Sequence, residues 1–176
     1  AAPRREIGVR TVFNILGPLT NPAGANAYLL GVADESLVEK MARVLQSLDC
    51  QHAMVVHGED GLDEITLTGK TQVCELKNGR TNSYTISPED FGLSKANLES
   101  LKGGTAAENA DLLRSILTGN KGPQRDVVLM NAAAAIVAGD KALSLEQGVD
   151  LAKEGVDSGQ ALAKLEQLVK LSQSFT

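Results

Sequence analysis

Residues 27–58, AYLLGVADESLVEKMARVLQSLDCQHAMVVHG, contain the clearest indication of the fold class. Residues 27–32 and 53–56 form two short apolar runs of strand length, and the segment between them has apolar residues at helical spacing. A strand, a helix and a second strand in this order predict a right-handed crossover with parallel strands. Ligands of such sheets bind beyond the carboxyl ends of the strands, which places the turn from Gly58 to Leu62 at the candidate site.

Local signals define the helix in this unit and the strands that follow it. Asp34 and Ser36 are candidates for the helix start, and Ser36 with Glu39 matches a capping box. Three further strands are predicted, and we expect them to be antiparallel: residues 65–68, 72–76 and 83–86. The connections would be a turn at 69–70 and an Asn-Gly hairpin turn at 78–79.

The last third of the chain is predicted to be helical. Thr105 and Glu108 match another capping box, and apolar periodicity then marks residues 127–137, 145–152 and 161–171. The predicted fold class is therefore α/β, with a mixed, mainly parallel central sheet flanked by helices.

The N-terminal segment has a different character from the rest. Apolar residues from Val9 to Leu16 follow helical spacing, and residues 17–24 contain two prolines and two glycines. We expect the helix to stop at Gly17-Pro18 and the following segment to act as a hinge. The predicted organisation is an N-terminal helix and hinge of a separate helical domain, residues 1–25, and an α/β domain, residues 26–176.

Composition excludes several classes of protein. The chain has 176 residues and a net charge of −5, so it has no broad basic field for nucleic acid. It has two cysteines, too few for a disulfide framework, which fits a reducing cytoplasm. No apolar run approaches the roughly 20 residues of a membrane span. The first residue is not methionine, and we expect the chain to be part of a longer protein.

The segment with the clearest chemistry is HGEDGLDE, residues 57–64, which has four carboxylates on the predicted ligand-binding turn. Mg²⁺ is typically held by one or two carboxylates together with waters and substrate phosphates. Asp63 and Glu64 are adjacent and are the candidate ligands, directly or through water. A solvated acidic turn remains the alternative. For His57, a structural hydrogen bond is expected rather than proton transfer.

Two other features are candidate binding sites. Arg4 and Arg5 could each bind a carboxylate or phosphate through the planar guanidinium fork, although from composition alone a surface helix start is the preferred explanation. The glycine pair 103–104 lacks a phosphate-binding fingerprint and is interpreted as a turn leading into the helix capped by Thr105.

Several of these motifs together resemble those of anthranilate phosphoribosyltransferases. The longest is RREIGVRTVFNILGPLTNPA, residues 4–23, and the second is His57-Gly58 followed by GLDE at 61–64. Residues 103–104, 108–110 and 131–133 also match later segments of the family. The resemblance implies a two-domain enzyme that transfers the phosphoribosyl group of phosphoribosyl pyrophosphate to the amino group of anthranilate in tryptophan biosynthesis.

The resemblance also implies roles for individual residues and for partners. Arg4 would bind anthranilate, Gly17 and Pro18 would line its path, and Asp63 and Glu64 would hold Mg²⁺ on the pyrophosphate. The glycine-rich pyrophosphate loop of the family has no counterpart in this chain. We therefore expect the chain to be inactive without the N-terminal half of the same enzyme, and the full-length enzyme to be a homodimer. No side chain is assigned as a general base.

Two alternatives remain at this point. A pyrimidine nucleoside phosphorylase has a related fold, but its substrate base is neutral and gives no reason for an arginine at position 4. A nucleic-acid-binding relative without catalytic activity would be expected to have a basic groove, in contrast to the net charge of −5.

Overall fold

A computed structural model describes Leu16, Gly17 and residues 19–175. The strands are β1 Ala27–Gly31, β2 His52–Gly58, β3 Thr71–Lys77 and β4 Arg80–Ile86. The helices are α1 Val38–Ser47, α2 Ala106–Leu117, α3 Pro123–Ala138, α4 Leu145–Asp157 and α5 Gln160–Gln173. Short 3-10 helices span Glu35–Leu37, Pro88–Phe91 and Leu98–Leu101. No helix in this described part is long and apolar enough to cross a membrane.

The four strands form one mixed sheet in the order β1-β2-β3-β4. β1 and β2 are parallel, with Ala27 opposite His52 and Gly31 opposite Val56. β2 pairs with β3, and β3 with β4, in antiparallel fashion. The α/β class with a mixed sheet flanked by helices is confirmed. The expectation of a mainly parallel sheet is corrected for the described strands, because only the β1–β2 pair is joined by a crossover helix.

The central strand β2 is buried on both faces because helices cover the sheet from two sides. Ala53 and Val55 belong to the cluster formed with α1, whereas Met54 and Val56 belong to the cluster formed with α3. All four side chains are at most 1% exposed. This double burial explains the uninterrupted apolar run of β2, because side chains on both faces of the strand pack against helices.

Turn and capping chemistry were predicted well at three places and wrongly at one. Asn78 and Gly79 both have positive φ, at 51° and 71°, and connect β3 to β4 as predicted. The capping box at the start of α2 is present. Of the two predicted helix starts, Asp34 is confirmed, because its side chain accepts the Ser36 N–H at 2.8 Å and caps the 3-10 turn before α1. The capping box predicted for Ser36 with Glu39 is wrong.

The predicted strand at residues 65–68 is also wrong. The backbone of Ile65 pairs with the Asn131 side chain, and the Thr66 N–H donates to the Thr71 hydroxyl at 3.0 Å. The alternation of apolar and polar residues there reflects burial inside a loop, since Ile65 and Leu67 are fully buried. Side chains therefore satisfy backbone groups that a strand ladder would otherwise satisfy.

Near the N-terminal boundary, Leu16, Gly17 and Leu19 have helical backbone and the chain turns at Thr20. Leu19 is thus helical, one residue after the stop that the sequence predicts at Gly17-Pro18. Gly17 is exposed, and a Cβ placed on it would have no heavy atom within 4 Å. The predicted domain boundary between residues 25 and 26 lies just before β1 and stays a prediction.

A buried histidine, His52, begins β2 at the end of the strand that is farther from the loop after Gly58. The His52 ring is 2% exposed and lies between Glu75 of β3, at 2.8 Å from Nε2, and Asp140 after α3, at 3.2 Å from Nδ1. The Tyr84 hydroxyl of β4 donates to the other oxygen of Glu75 at 3.0 Å, and burial raises the pKa of Tyr84 well above its ordinary value. This network joins three strands to the end of α3.

Candidate metal and substrate site

The candidate site is the loop of residues 59–70, which leaves the carboxyl end of β2 and returns into β3. It passes directly over the end of the neighbouring parallel strand. A Cβ on Gly31 in β1 would overlap the backbone carbonyl oxygen of Asp63, so only glycine permits this approach. The sheet therefore fixes the position of Asp63 through its backbone, as expected for a ligand loop at the carboxyl ends of parallel strands.

His57 supports the entry to the loop. Its Nδ1 lies 2.8 Å from the carbonyl oxygen of Val32, and since a carbonyl only accepts, Nδ1 donates. Val32 in turn donates its N–H to the carbonyl of Val56 at 3.0 Å. The prediction of a structural hydrogen bond for His57 is confirmed, and the bond joins the ends of the two parallel strands beneath the acidic segment.

The first two carboxylates of the loop are used by the loop itself. Asp60 accepts the hydroxyl of Thr66 and that of Thr68, the latter at 2.6 Å, and it accepts the Leu62 N–H at 3.1 Å. Burial alone would raise the pKa of Asp60, but these hydrogen bonds outweigh it and hold the pKa below its ordinary value. The side chain of Glu59 lies against Gly69, where a Cβ would overlap its carboxylate.

The last two carboxylates are arranged differently. Asp63 is exposed and Glu64 is half-buried. Neither side chain accepts a hydrogen bond or pairs with a cation from the residues that the structure describes. Burial, followed by the charges of Asp63 and Asp60, raises the pKa of Glu64. Negative charge is thus concentrated at one point, and no cation of residues 16–17 or 19–175 pairs with it.

This donor set fits Mg²⁺ that is shared with a substrate. Within the described residues, no group of three or more His, Cys, Asp or Glu side chains could hold a metal ion. Two adjacent carboxylates are too few for a cage made of protein alone, but Mg²⁺ commonly binds through one or two carboxylates and completes its shell with water and phosphate oxygens. Asp63 and Glu64 would hold it, and Asp60 is already occupied by hydroxyl groups.

A residue far along the sequence holds the loop to helix α3. Asn131 accepts the N–H of Ile65 at 2.9 Å and donates to the carbonyl of Ile65 at 2.9 Å. Its amide also donates to the carbonyl of Val127, one turn earlier in the helix, at 3.0 Å. Sequence reasoning named Asn131 only as part of a family motif and assigned it no role. Its position on a helix that is otherwise apolar on the sheet side is the signal that could have identified it.

The other sequence-predicted residues have mixed outcomes. Arg4 and Pro18 lie outside the described residues. Gly17 is described, and a Cβ placed on it would have no heavy atom within 4 Å; its role in the path of a substrate stays a prediction. The glycine pair 103–104 leads into the helix capped by Thr105, as predicted, but its backbone is irregular and does not form the predicted turn; Gly104 donates its N–H to the Asn109 side chain at 2.8 Å.

The fold and the acidic loop define the class of protein. The chain belongs to the glycosyl transferase family, a/b domain, whose profile matches residues 1–162. Among curated relatives, the anthranilate phosphoribosyltransferase of Geobacter sulfurreducens is 55% identical over 170 residues, which are 97% of this chain and 49% of the relative. The resemblance predicted from the sequence is therefore confirmed. The chain spans about half the length of the curated relatives it matches.

Solved structures agree with this assignment. The anthranilate phosphoribosyltransferase of Thermus thermophilus superposes with a TM-score of 0.85 at 48% identity, covering 97% of this chain and 50% of that one. The Saccharomyces cerevisiae enzyme, solved in complex with PRPP and Mg, gives a TM-score of 0.86 at 30% identity, with coverage of 97% and 50%. The yeast enzyme has also been solved in complex with 4-fluoroanthranilate.

Proposed function

We propose that the protein to which this chain belongs transfers the 5-phosphoribosyl group of phosphoribosyl pyrophosphate to anthranilate, giving N-(5-phosphoribosyl)anthranilate and pyrophosphate, a step of tryptophan biosynthesis. The observation that carries the proposal is the pair Asp63 and Glu64, an uncompensated acidic site at the carboxyl end of β2. The names of the relatives and the ligands of the yeast structures support the same assignment.

The role of the pair follows from its charge. Asp63 and Glu64 would bind Mg²⁺ only weakly by themselves and usefully when pyrophosphate oxygens complete the coordination shell. Magnesium held there would neutralise negative charge on the pyrophosphate as it leaves. The amino nitrogen of anthranilate then bonds to the anomeric carbon as the carbon–oxygen bond to pyrophosphate breaks, and the amine releases a proton. Positioning and leaving-group stabilisation supply the catalysis, and no general base is assigned.

The anthranilate side of the proposal rests on residues near the N-terminus. Arg4 is proposed to pair with the carboxylate of anthranilate, and Gly17 and Pro18 to line the path to it. The family motif in residues 4–23 supports this assignment. The guanidinium group is suited to the role because it offers two parallel N–H donors to a planar carboxylate.

The proposal includes partners and location. Residues 1–25 would belong to a helical domain, completed by an N-terminal half that supplies further pyrophosphate contacts and the homodimer interface. The protein would function in the cytoplasm. Limited proteolysis of the full-length protein should cut within residues 17–24; a first cut inside α1 would contradict the domain boundary. Sedimentation of the same protein should give twice the mass of one chain, and a monomer would contradict the homodimer.

The proposed activity is tested by incubating the full-length protein with anthranilate, phosphoribosyl pyrophosphate and Mg²⁺ and measuring the product by chromatography. Asp63→Asn combined with Glu64→Gln should lower turnover by about a hundredfold or more and change the Mg²⁺ dependence. Glu59→Gln is the matched control, because it removes a charge from the same loop where the side chain lies against Gly69. This control should keep the parental Mg²⁺ dependence.

Three results would contradict the assignment. Unchanged Mg²⁺ dependence in the double variant would remove Asp63 and Glu64 from the site. Phosphorolysis of pyrimidine nucleosides in place of the transfer reaction would favour the phosphorylase alternative. Salt-dependent DNA binding by a protein without either activity would favour the nucleic-acid-binding alternative.

The Arg4 assignment has its own test in the same assay. Arg4→Ala should raise the KM for anthranilate by roughly ten- to a hundredfold, because a charge-assisted hydrogen bond is worth on the order of 1.5 to 3 kcal/mol. The KM for phosphoribosyl pyrophosphate should change much less, and Arg4→Lys should recover only part of the loss. Equal effects on both substrates would contradict a role in anthranilate binding.

A further inference from the structure

We propose that Asn131 is a positioning residue for the acidic pair, fixing the backbone at Glu64 so that its carboxylate is presented at the metal site before any metal binds. This inference rests on the proposed function, since it assigns Asn131 to the same Mg²⁺ site. It concerns a residue of α3 whose side chain approaches the site only through the backbone of Ile65.

The geometry links Asn131 to Glu64 through one peptide group. The N–H that Asn131 accepts, at 2.9 Å, belongs to the peptide bond between Glu64 and Ile65. Fixing the plane of that peptide fixes the backbone torsion on the carboxyl side of Glu64. The second bond, to the carbonyl of Ile65 at 2.9 Å, fixes the next peptide in the same way. Two consecutive peptides are thus held by one side chain.

The amide of Asn131 is itself held in place. Its nitrogen donates to the carbonyl of Val127 at 3.0 Å, so the helix orients the side chain that orients the loop. The Ile65 side chain is fully buried in the cluster that includes Met130 and Ala133 of the same helix. Polar and apolar contacts therefore attach Ile65 to α3 at the same point, and Glu64 precedes the attachment directly.

The loop needs such an attachment because the acidic pair repels itself. Glu64 is half-buried next to Asp63, with Asp60 also near, and has no cation partner among the described residues. Without the metal, this repulsion opposes the close arrangement of the carboxylates. Gly31 accommodates the backbone on the Asp63 side and Asn131 holds it on the Ile65 side, so the pair stays at the end of the sheet.

The test uses the full-length protein without Mg²⁺ and measures hydrogen exchange by mass spectrometry in peptides covering residues 59–70. Asn131→Ala should accelerate exchange in this segment by about tenfold, while peptides from β3 and β4 should be unchanged. In the transferase assay, the Mg²⁺ concentration for half-maximal rate should rise by about tenfold, as for other residues that orient metal ligands. Asn131→Gln, which keeps both the amide donor and the acceptor for the Ile65 backbone on a longer side chain, should show smaller changes in both measurements.

Two control variants separate positioning from stability and from the loss of any asparagine. Leu129→Val lies on the same helix but packs against α4 residues, so it should lower stability without changing exchange in residues 59–70. Asn109→Asp disturbs an asparagine that also bonds to both backbone groups of one residue, Gly104, at 2.8 and 3.1 Å. It should leave exchange in residues 59–70 at the parental rate.

The outcomes distinguish failure of this inference from failure of the proposed function. If the parent protein carries out the transfer but Asn131→Ala changes neither exchange in residues 59–70 nor the Mg²⁺ requirement, the positioning role is wrong. A lower maximal rate at an unchanged Mg²⁺ requirement also overturns it. If the parent protein has no transferase activity, the proposed function fails, and faster exchange in Asn131→Ala would then show only an attachment of the loop.

Discussion

Asp60 and Glu64 lie four positions apart in one loop, yet the pKa values of their carboxyl groups are shifted in opposite directions. Asp60 accepts two hydroxyl groups and one amide, and its pKa lies below the ordinary value. Glu64 accepts no hydrogen bond from the described part of the chain, lies beside the carboxylate of Asp63, and has a raised pKa. The difference comes from where donors are placed, since both side chains are partly buried.

The comparison separates two parts of the loop: a frame, formed by Asp60 with Thr66 and Thr68, and a site, formed by Asp63 and Glu64. The Asp60 carboxylate stabilises the fold, because its hydrogen bonds with Thr66 and Thr68 join the start of the loop to its end. The charge of the Glu64 carboxylate does not stabilise the fold, because no described residue donates to it or pairs with it. A partly buried carboxyl group without partners among the described residues is typical of a position that serves a ligand, and such a position often costs stability.

The largest effect is expected when the frame is broken. Asp60→Asn should lower the free energy of unfolding by about 2 kcal/mol at pH 7, because hydrogen bonds to a charged acceptor are lost and the buried Thr66 hydroxyl keeps a poorer partner. The pKa of Asp60 is lowered in the fold, so its contribution exists above its ordinary value of 3.8 and is lost as the pH falls further. Urea unfolding at pH 7 and pH 3 would measure this; equal stability of parent and variant at pH 7 would contradict it.

A smaller effect of the same sign is expected at one of the donors. Thr68→Val keeps the shape of the side chain but removes the hydroxyl that donates to Asp60 at 2.6 Å. The free energy of unfolding should fall by about 1 kcal/mol. Thr68→Ser keeps the hydroxyl and is the matched control, and urea unfolding compares the two. A serine variant as unstable as the valine variant would assign the loss to packing.

The smallest effect should have the opposite sign. Because the pKa of Glu64 is raised in the fold, its ionised form opposes folding above the ordinary value of 4.5 and has no effect where the carboxyl is protonated in both states. Glu64→Gln should therefore stabilise the metal-free protein at pH 7 by at most about 1 kcal/mol, since water screens a half-exposed group. The gain should disappear below about pH 4 in thermal unfolding measurements.

Glu59→Gln provides the reference for this last measurement, because it removes an exposed carboxylate from the same loop. It should give no comparable gain at pH 7. Destabilisation of the metal-free protein by Glu64→Gln would mean that the carboxylate has a stabilising partner, and the contrast with Asp60 would be wrong.

Elements with strong local signals could be predicted from the sequence. The Asn78-Gly79 turn, the Thr105 cap and the apolar run of β2 each depend on residues close together along the chain. The acidic segment is predictable for the same reason, since its four carboxylates lie within six consecutive residues. Asp34 and Ser36 are both candidates for the start of the first helix, and the structure selects Asp34, two positions before the predicted capping box at Ser36.

Features that depend on distant residues could not be predicted. Residues 65–68 have a strand-like pattern, but their backbone groups find side-chain partners that the pattern does not encode. The division of the carboxylates into frame and site depends on the threonines that fold back onto Asp60. The close approach of Gly31 to Asp63 depends on strand pairing, which joins residues far apart in the sequence.

The contact between Asn131 and Ile65 has a consequence for the order of folding. It joins residues 66 positions apart, whereas the β3–β4 hairpin closes over a two-residue turn. Closing a long segment costs more chain entropy than closing a short one, so local pairings form with the smaller penalty. In a chain that has formed the hairpin but has not docked α3, the N–H and the carbonyl of Ile65 both still lack their partner, Asn131. The acidic loop therefore reaches its final shape only once the second half of the chain has folded against the first.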